Sequence, residues 1–222
     1  MSRVHLEIES LPNVLTLFRI ALIPVIVATL FLEKMSWPIL SLWHGKLGYI
    51  AAYTFAAAAV TDFIDGYIAR KRGLVTTFGS FLDPIADKFL VVSSLIMLLY
   101  LDRLEVFVVI VLILREFYIT SLRLLASGEG LQISAVPFGK WKTAFQLVGI
   151  PLLMVNERHL GILMPFWGSL CIYASVVLSL CSAVSYSVGV VKKFKLKLKE
   201  RKIKKKKQES VEGQIPLEKS RS

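Results

Sequence analysis

The sequence predicts an all-α integral membrane protein with about six transmembrane helices. Apolar residues make up 55% of the 222 residues and charged residues only 19%, which is less charge than soluble domains of this size usually carry. The apolar residues also lie in long runs, as they do in helices that cross a bilayer. In chain order, we expect helices over Leu11–Leu32, Leu47–Gly66, Phe81–Leu101, Val106–Leu125, Lys142–Asn156 and Leu160–Val191.

The first and last of these runs need separate justification. Met1–Ser10 contains Glu7 and Glu9, and no small-residue cleavage site follows the first run. The first run is therefore not predicted to be part of a secretory signal, and we expect this run to be retained as a helix. The last run is the longest and exceeds the thickness of a bilayer, so we expect it to tilt or to extend into water.

Lys and Arg are shared unevenly between the two sets of loops. The poorer set holds only Lys34, Lys46, Arg103 and Arg158. The richer set holds Arg70, Lys71, Arg72, Lys140 and the C-terminal run. Because cytoplasmic loops carry the excess of Lys and Arg, we expect the richer set on the cytoplasmic side of a cell membrane. An even number of spans then places both termini in the cytoplasm.

The chain divides into a membrane domain, residues 1–191, and a basic tail, residues 192–222. Glu200 is the only acid between Lys192 and Lys207, and this run accounts for nearly all of the net charge of +11. A polybasic run directly after a membrane helix is expected to bind anionic lipid headgroups or to set topology. Nucleic acid is not an expected partner, because no base-reading motif is present. We expect the tail to be cytoplasmic and disordered.

Four aspartates near the second and third runs follow helical spacing. Asp62 and Asp65 share one helix face with the small residues Gly66 and Ala69, at i, i+3, i+4 and i+7. On the next run, Gly79, Asp83 and Asp87 are four residues apart. The connection is short, so the two helices are expected to be antiparallel neighbours whose acids face one cleft.

A divalent metal site explains these acids better than packing does. A carboxylate at membrane depth is unfavourable, and four ionised carboxylates in one cleft repel one another. Two Mg²⁺ or Mn²⁺ ions would balance the charge, and such a pair suits displacement at phosphorus. The alternative, helix-end acids that cap or pair with Arg70 and Lys88, explains one or two of the four. We therefore expect an intramembrane active site at the cytoplasmic face.

The stretch from Asp62 to Asp87 resembles the signature of the CDP-alcohol phosphatidyltransferases, D-x2-D-G-x2-A-R-x8-G-x3-D-x3-D, at all eight fixed positions. The resemblance implies a six-helix membrane fold, in which a homodimer is common. It implies that Asp62, Asp65, Asp83 and Asp87 hold two divalent ions. It further implies that Gly66 and Ala69 pack against the cytidine and that Arg70 contacts the CDP phosphates. Asp87 is the family's candidate general base for the incoming hydroxyl.

The residues themselves favour the same type of reaction. No Ser-His or Cys-His pairing suggests a covalent intermediate. Metal ions together with a carboxylate base suit direct phosphoryl-type transfer. Because a carboxylate bound to a cation is a weak base, the role of Asp87 as base and its place in the metal site are separate expectations.

Three further segments resemble bacterial phosphatidylglycerophosphate synthases: Asn13–Arg19, Arg115–Arg123 and Gly139–Thr143. The resemblance implies CDP-diacylglycerol and sn-glycerol 3-phosphate as substrates. The nearest alternative keeps the chemistry and changes the acceptor to inositol phosphate or another alcohol. A divalent-cation transporter is a rival of another class, but no acid continues the path across the other half of the spans. A catalytically inactive scaffold is a third reading, against which the intact signature argues.

Four cations are candidates for binding the phosphate of the acceptor. Arg115 lies inside an apolar run, and the adjacent Glu116 points about 100° away on a helix, so a bound phosphate is the better partner. Arg123 lies on roughly the same face, and Lys140 and Lys142 begin the next helix near that end. The alternatives are a structural ion pair for Arg115, with an aspartate or with the helix neighbours of Glu116, and a topology signal for the two lysines.

The first helix carries three polar candidates. Asn13, Thr16 and Arg19 could meet the cytidine diphosphate. Asn13 and Thr16 could instead cap the helix, and Arg19 could extend to the lipid surface.

Overall fold

The computed structural model describes residues 11–35, 46–72, 77–131, 137–159 and 162–212, with side chains described for 16–35, 46–61, 85–131, 139–157, 163–199, 201–203 and 205. Over these residues the chain forms six helices: α1 Leu11–Met35, α2 Lys46–Arg72, α3 Thr77–Tyr100, α4 Val106–Gly128, α5 Pro137–Val155 and α6 Met164–Glu212. Between α5 and α6, the two-residue strands β1 Arg158–His159 and β2 Ile162–Leu163 pair antiparallel. The predicted all-helical class is confirmed for this part of the chain.

Each predicted apolar run corresponds to one helix, and the boundaries differ at the polar ends. Helix α2 continues past Gly66 to Arg72, and α5 begins at Pro137, ahead of Lys142. An apolar run marks only the part of a helix that suits an apolar environment. Lys, Arg and Glu are good helix formers, so a helix does not end where its apolar run ends.

The basic segment provides the largest correction. Helix α6 runs without a break to Glu212, so the prediction of a disordered tail is wrong for residues 192–212. Residues 213–222 lie outside the described part of the chain. Glu129, just after α4, explains part of the order: its Oε2 lies 2.9 Å from Lys197 Nζ and 3.0 Å from Arg201 Nη2. Lys197 also donates a hydrogen bond to the Glu129 carbonyl.

Two stretches are long and apolar enough to cross a membrane, counting only described residues: Thr16–Met35 and Met164–Ile203. The first lies in α1 and the second in α6. That the other helices also cross a membrane stays a prediction.

One apolar core holds the bundle together. Helix α1 packs on α2 and α3, α2 on α5, α5 on α6, and α6 on α4. Every helix contributes to a single buried cluster, for example through Ile26, Phe55, Leu98, Leu112, Leu153 and Ile172. Consecutive helices alternate in direction, so residues from several helices meet at each end of the bundle. One end holds a buried ion pair, and the other holds a polar cavity.

A buried ion pair lies at one end of the bundle, which we call the Arg103 end. Arg103 precedes α4 and donates hydrogen bonds to the carbonyl oxygens of Leu153 (3.2 Å) and Met154 (2.6 Å) at the end of α5. Its Nη2 also lies 2.5 Å from Glu33 Oε1 at the end of α1. The last carbonyls of a helix lack intrahelical donors, so Arg103 caps α5 and ties it to α1.

Two neighbouring features belong to the same end. Lys34 Nζ pairs with Asp102 Oδ2 at 2.5 Å on the surface. Gly48 of α2 lies so close to α5 that an added Cβ would be 2.3 Å from the Met154 carbonyl oxygen. The absence of a side chain at Gly48 is therefore what allows α2 and α5 to meet here.

Candidate active site

A cavity of about 690 Å³ opens among α3, α4, α5 and α6 at the end of the bundle opposite Arg103. Each of these four helices contributes residues to its wall, and all but Gly139 of those named next have polar side chains. They are Asp87 and Lys88 from α3, Arg115, Glu116, Thr120 and Arg123 from α4, Gly139, Lys140 and Thr143 from α5, and Ser182 and Tyr186 from α6.

Residues predicted for two different tasks meet in this cavity. Asp87 is the last carboxylate of the signature, and Arg115, Arg123 and Lys140 are predicted phosphate ligands; all four line the wall. Lys88 adds a fourth cation, whereas Glu116 is the only other carboxylate among the lining residues whose side chains are described. With more cations than carboxylates on its wall, the cavity suits an anionic ligand.

Arg115 is held in place by three hydrogen bonds. The residue is 8% exposed. Its Nη2 donates to Ser182 Oγ (2.8 Å) and its Nε to the Ser179 carbonyl (3.3 Å), both on α6. Its Nη1 donates to Glu116 Oε2 at 3.2 Å. A guanidinium has five N–H donors, so within the described structure two remain for a ligand in the cavity.

The contact with Glu116 corrects the prediction that this residue is not a partner of Arg115. Neighbouring Cβ atoms on a helix do diverge, but the arginine side chain is long enough for its guanidinium to reach back. Glu116 is also held from the other side, because Lys142 Nζ donates a hydrogen bond to the same Oε2 atom. Buried Arg115 and Lys142 thus form one ionic network with the partly buried Glu116.

Lys142, unlike the other three predicted phosphate ligands, is not among the residues that line the main cavity. Its side chain is buried, and together with Asp87 and Glu116 it lines a small void of about 30 Å³ beside the main cavity. Lys140 faces the main cavity instead. Two residues apart on α5, the two lysines lie on different faces of the helix.

Two groups of site residues were not assigned to the site from the sequence. Lys88 was considered only as a partner of an acid, yet it lines the cavity and donates to Thr120 Oγ1 at 2.7 Å. Helix α6 carries a stripe of buried polar residues. These are Ser175, Ser179, Ser182 and Tyr186. Their spacing of i, i+4, i+7 and i+11 on an apolar helix is a signal that the sequence analysis did not use.

The remaining predicted residues lie on α1, α2 and α3. Thr16 and Arg19 are each 1% exposed, so Arg19 does not extend to the lipid surface. Because α1 begins at Leu11, Asn13 and Thr16 lie inside the helix, and the capping alternative is wrong. The backbone is helical at the other predicted positions, but their side chains lie outside the described part: Asn13, Asp62, Asp65, Gly66, Ala69, Arg70, Gly79 and Asp83.

Only one of the four predicted metal ligands has a described side chain. No group of three His, Cys, Asp or Glu side chains suitable for a metal ion occurs among the side chains that are described. Asp87 is the only one of the four predicted ligands in that set. The two-ion site stays a prediction.

Comparisons with known proteins agree with the sequence signature. A family model described as CDP-alcohol phosphatidyltransferase matches residues 9–187. The CDP-diacylglycerol–glycerol-3-phosphate 3-phosphatidyltransferase of Bacillus subtilis (strain 168) is 38% identical over 180 residues, which cover 80% of this chain and 93% of that protein.

Relatives outside that species carry the same name. The protein from Rickettsia bellii (strain RML369-C) is 34% identical over 187 residues, covering 84% of this chain and 98% of its own length. In Arabidopsis thaliana, the second enzyme of this name is 34% identical over 195 residues, covering 81% and 79%. The likeness therefore extends over most of each chain, well beyond the signature.

Proposed function

Because this chain belongs to the CDP-alcohol phosphatidyltransferase family, we propose that it transfers a phosphatidyl group from CDP-diacylglycerol to sn-glycerol 3-phosphate. The products are phosphatidylglycerol phosphate and CMP, and the reaction belongs to phospholipid biosynthesis. The names of the relatives support this reaction. The observation that carries the acceptor assignment is the cation-rich cavity that Asp87 shares with Arg115, Arg123 and Lys140.

The cavity wall has the chemistry that a phosphorylated acceptor needs. The phosphate of glycerol 3-phosphate is largely dianionic near neutral pH and accepts hydrogen bonds only. Arg115 retains two N–H donors, and Arg123 and Lys140 add positive charge on neighbouring helices. Guanidinium groups bind phosphate oxygens in a bidentate way. These residues therefore hold the phosphate while the acceptor hydroxyl lies toward Asp87.

Glu116 and Lys142 act indirectly in this proposal. The Glu116 carboxylate fixes Arg115 from one side and is itself fixed by Lys142. A guanidinium held on both sides loses little rotational freedom when the phosphate binds, which favours binding. Lys142 thus orients the phosphate site without touching the phosphate.

Asp87 accepts the proton of the acceptor hydroxyl. As that oxygen bonds to the β-phosphorus of CDP-diacylglycerol, the bond from phosphorus to the departing CMP oxygen breaks. Candidate bases must lie within hydrogen-bond reach of the proton they remove, and Asp87 lines the same cavity as the phosphate ligands. No covalent enzyme intermediate is needed.

The donor set fits a hard divalent cation. The family uses divalent metal ions, and Asp62, Asp65, Asp83 and Asp87 offer only oxygen ligands, which Mg²⁺ and Mn²⁺ prefer. Asp62 and Asp65 lie on α2 and the other two on α3. Two bound ions would polarise the phosphate oxygens and stabilise the charge that develops on them.

The nucleotide is proposed to lie on the other side of Asp87. Gly66 and Ala69 would pack against the cytidine, Arg70 would contact its phosphates, and Asn13 and Thr16 would complete the site. Helix α1, which carries the last two, packs against α3. Thr16 is buried, which is consistent with a residue facing the bundle.

The membrane arrangement follows from charge. The family is membrane-integral, and we propose a multi-pass protein whose cavity and termini are cytoplasmic. Lys34 and Arg103, from the loop set with few cations, meet at the Arg103 end, and Lys140 lies at the cavity end. The exposed Lys192, Lys195 and Lys199 would contact anionic lipid headgroups. A homodimer remains part of this proposal.

A CMP-release assay tests the reaction and the acceptor. Full-length protein with CDP-diacylglycerol and Mg²⁺ is given glycerol 3-phosphate, inositol phosphate, serine or no acceptor. We expect turnover only with glycerol 3-phosphate, and none in Asp87→Asn. Asp102→Asn is the matched control, because Asp102 lies at the opposite end of the bundle and its φ of 58° is tolerated by asparagine.

Each contrary result has a definite meaning. Turnover with a different alcohol would overturn the acceptor assignment and leave the reaction type standing. Folded protein without turnover on any acceptor would overturn the enzyme assignment and favour a scaffold or a transporter. Full activity of Asp87→Asn would remove Asp87 from the mechanism.

A further inference from the structure

Tyr186 of α6 is a buried residue of the cavity wall with an unused hydrogen-bonding group. It is 3% exposed and lines the cavity beside Arg115 and Arg123. Its Oη atom is buried and has no hydrogen-bond partner within the described residues. Buried tyrosine hydroxyls usually have a partner, and leaving one without a partner is unfavourable. A ligand bound in the cavity beside Tyr186 would supply the missing hydrogen-bond acceptor.

The packing of Tyr186 sets the level of its side chain in the bundle. Tyr186 clusters with Ile119 and Val190. On α4, Ile119 lies four residues after Arg115 and four before Arg123, so it is one turn from each arginine on the same face. Tyr186 therefore packs against α4 at a level between Arg115 and Arg123.

Helix α6 already serves this site through the preceding turn. Ser182, four residues before Tyr186, accepts the hydrogen bond from Arg115 Nη2 at 2.8 Å. Ser182 and Tyr186 lie on one face of α6, and both line the cavity. One of these hydroxyls holds an arginine, and the other has no such contact in the part of the chain that is described.

We propose that Tyr186 binds the acceptor substrate directly, its Oη donating a hydrogen bond to a phosphate oxygen of glycerol 3-phosphate. This inference rests on the proposed function. A phosphate dianion accepts hydrogen bonds only, and a phenol is a suitable donor. Arg115, Arg123 and Tyr186 together approach the phosphate from α4 and α6.

The variant Tyr186→Phe removes the hydroxyl and keeps the ring against Ile119. A hydrogen bond to a charged group contributes about 1.5–3 kcal/mol, so we expect KM for glycerol 3-phosphate to rise by roughly 10-fold or more. We expect kcat and KM for CDP-diacylglycerol to stay within about twofold of wild type. The melting temperature of the ligand-free protein is expected to be unchanged or higher, because the hydroxyl removed is buried without a partner.

Tyr118→Phe is the matched control. The Tyr118 hydroxyl lies 2.9 Å from Ser187 Oγ on the exposed side of α4 and α6, and Tyr118 does not line the cavity. The same substitution there removes a bond between the same two helices. We expect it to leave KM for glycerol 3-phosphate unchanged.

Inorganic phosphate and glycerol, used as competitors and in thermal-shift binding, identify the part of the acceptor that is bound. We expect Tyr186→Phe to weaken phosphate binding by the same factor as KM, and to leave glycerol unaffected. A weakened glycerol effect with unchanged phosphate binding would overturn the proposal, as would a wild-type KM or a variant that fails to fold. Wild-type protein that binds phosphate but does not turn over glycerol 3-phosphate would overturn the proposed function alone.

Discussion

The two ion pairs at the Arg103 end allow the effect of burial to be measured at constant geometry. Arg103–Glu33 and Lys34–Asp102 are both 2.5 Å long, and their members are adjacent in sequence. The side chains of Arg103 and Glu33 are 9% and 11% exposed. Those of Lys34 and Asp102 are 38% and 84% exposed. The pairs therefore differ in burial and in the two further hydrogen bonds that the buried Arg103 donates to α5.

Replacing each cation by methionine should separate the two pairs clearly. Arg103→Met leaves a buried Glu33 carboxylate without a counter-charge and removes two hydrogen bonds to α5 carbonyls. Breaking a buried pair from one side destabilises a protein by about 3–5 kcal/mol. Lys34→Met breaks an exposed pair, with an effect of about 0–1 kcal/mol. The same substitution removes the contact of Lys34 Nζ with the Tyr100 ring, at 5.5 Å from its centroid, which adds about 0.5–1 kcal/mol to the loss.

Reversible unfolding in mixed detergent micelles, followed by tryptophan fluorescence, measures the free energy of unfolding of each variant. We expect Arg103→Met to lose at least about 1 kcal/mol more than Lys34→Met. Neither variant should alter KM for glycerol 3-phosphate, because both residues lie at the end opposite the cavity. Equal losses in the two variants would refute the argument that burial governs the strength of these pairs.

Two further predictions concern helix contacts. Gly48→Ala should destabilise the protein, because the new Cβ would lie 2.3 Å from the Met154 carbonyl oxygen. Gly189→Ala is the control: a Cβ there meets nothing within 4 Å, so the variant should be neutral or stabilised by about 0.5–1 kcal/mol in thermal unfolding. Equal melting temperatures of the two variants would contradict this prediction. The hydrogen bond and charge of Lys197 hold the pKa of the Glu129 carboxyl below its usual value. The pair therefore stabilises the contact between Glu129 and the basic part of α6 at pH values above the ordinary carboxyl pKa. This stabilisation is lost as the pH falls through the lowered pKa of Glu129. Spin-label distances between the end of α4 and this part of α6 should lengthen at low pH and, at neutral pH, in Glu129→Gln; distances that do not change would contradict the pairing.

The sequence predicts the helices well and their polar ends poorly, for a physical reason. Apolar runs locate all six helices of the described chain, because each must bury a face in the common core. Composition alone suggests disorder after Val191. The helix continues because Lys, Arg and Leu favour it and because Glu129 binds Lys197.

At the site, spacing predicts which cations converge but not which of them contact one another. Arg115, Arg123 and Lys140 do line one cavity. Lys142 turns toward Glu116 instead, a result that depends on the reach of two side chains and not on helical phase. Tyr186 was not predicted to lie at the site, because it belongs to a mostly apolar run. Its spacing of four residues from Ser182, which places both on one helix face, is present in the sequence.

The order of the helices along the chain has a consequence for biosynthesis. Chains are made from the N-terminus, and early segments begin to fold first. The signature residues, Asp62 to Asp87, are made before α4–α6, but Arg115 donates two of its three hydrogen bonds to α6. Until α6 is made, Glu116 is the only one of the described partners of Arg115 that is present. A nascent chain stopped before Ser179 would therefore carry the signature without the α6 wall of the cavity and without two of the hydrogen-bond acceptors of Arg115.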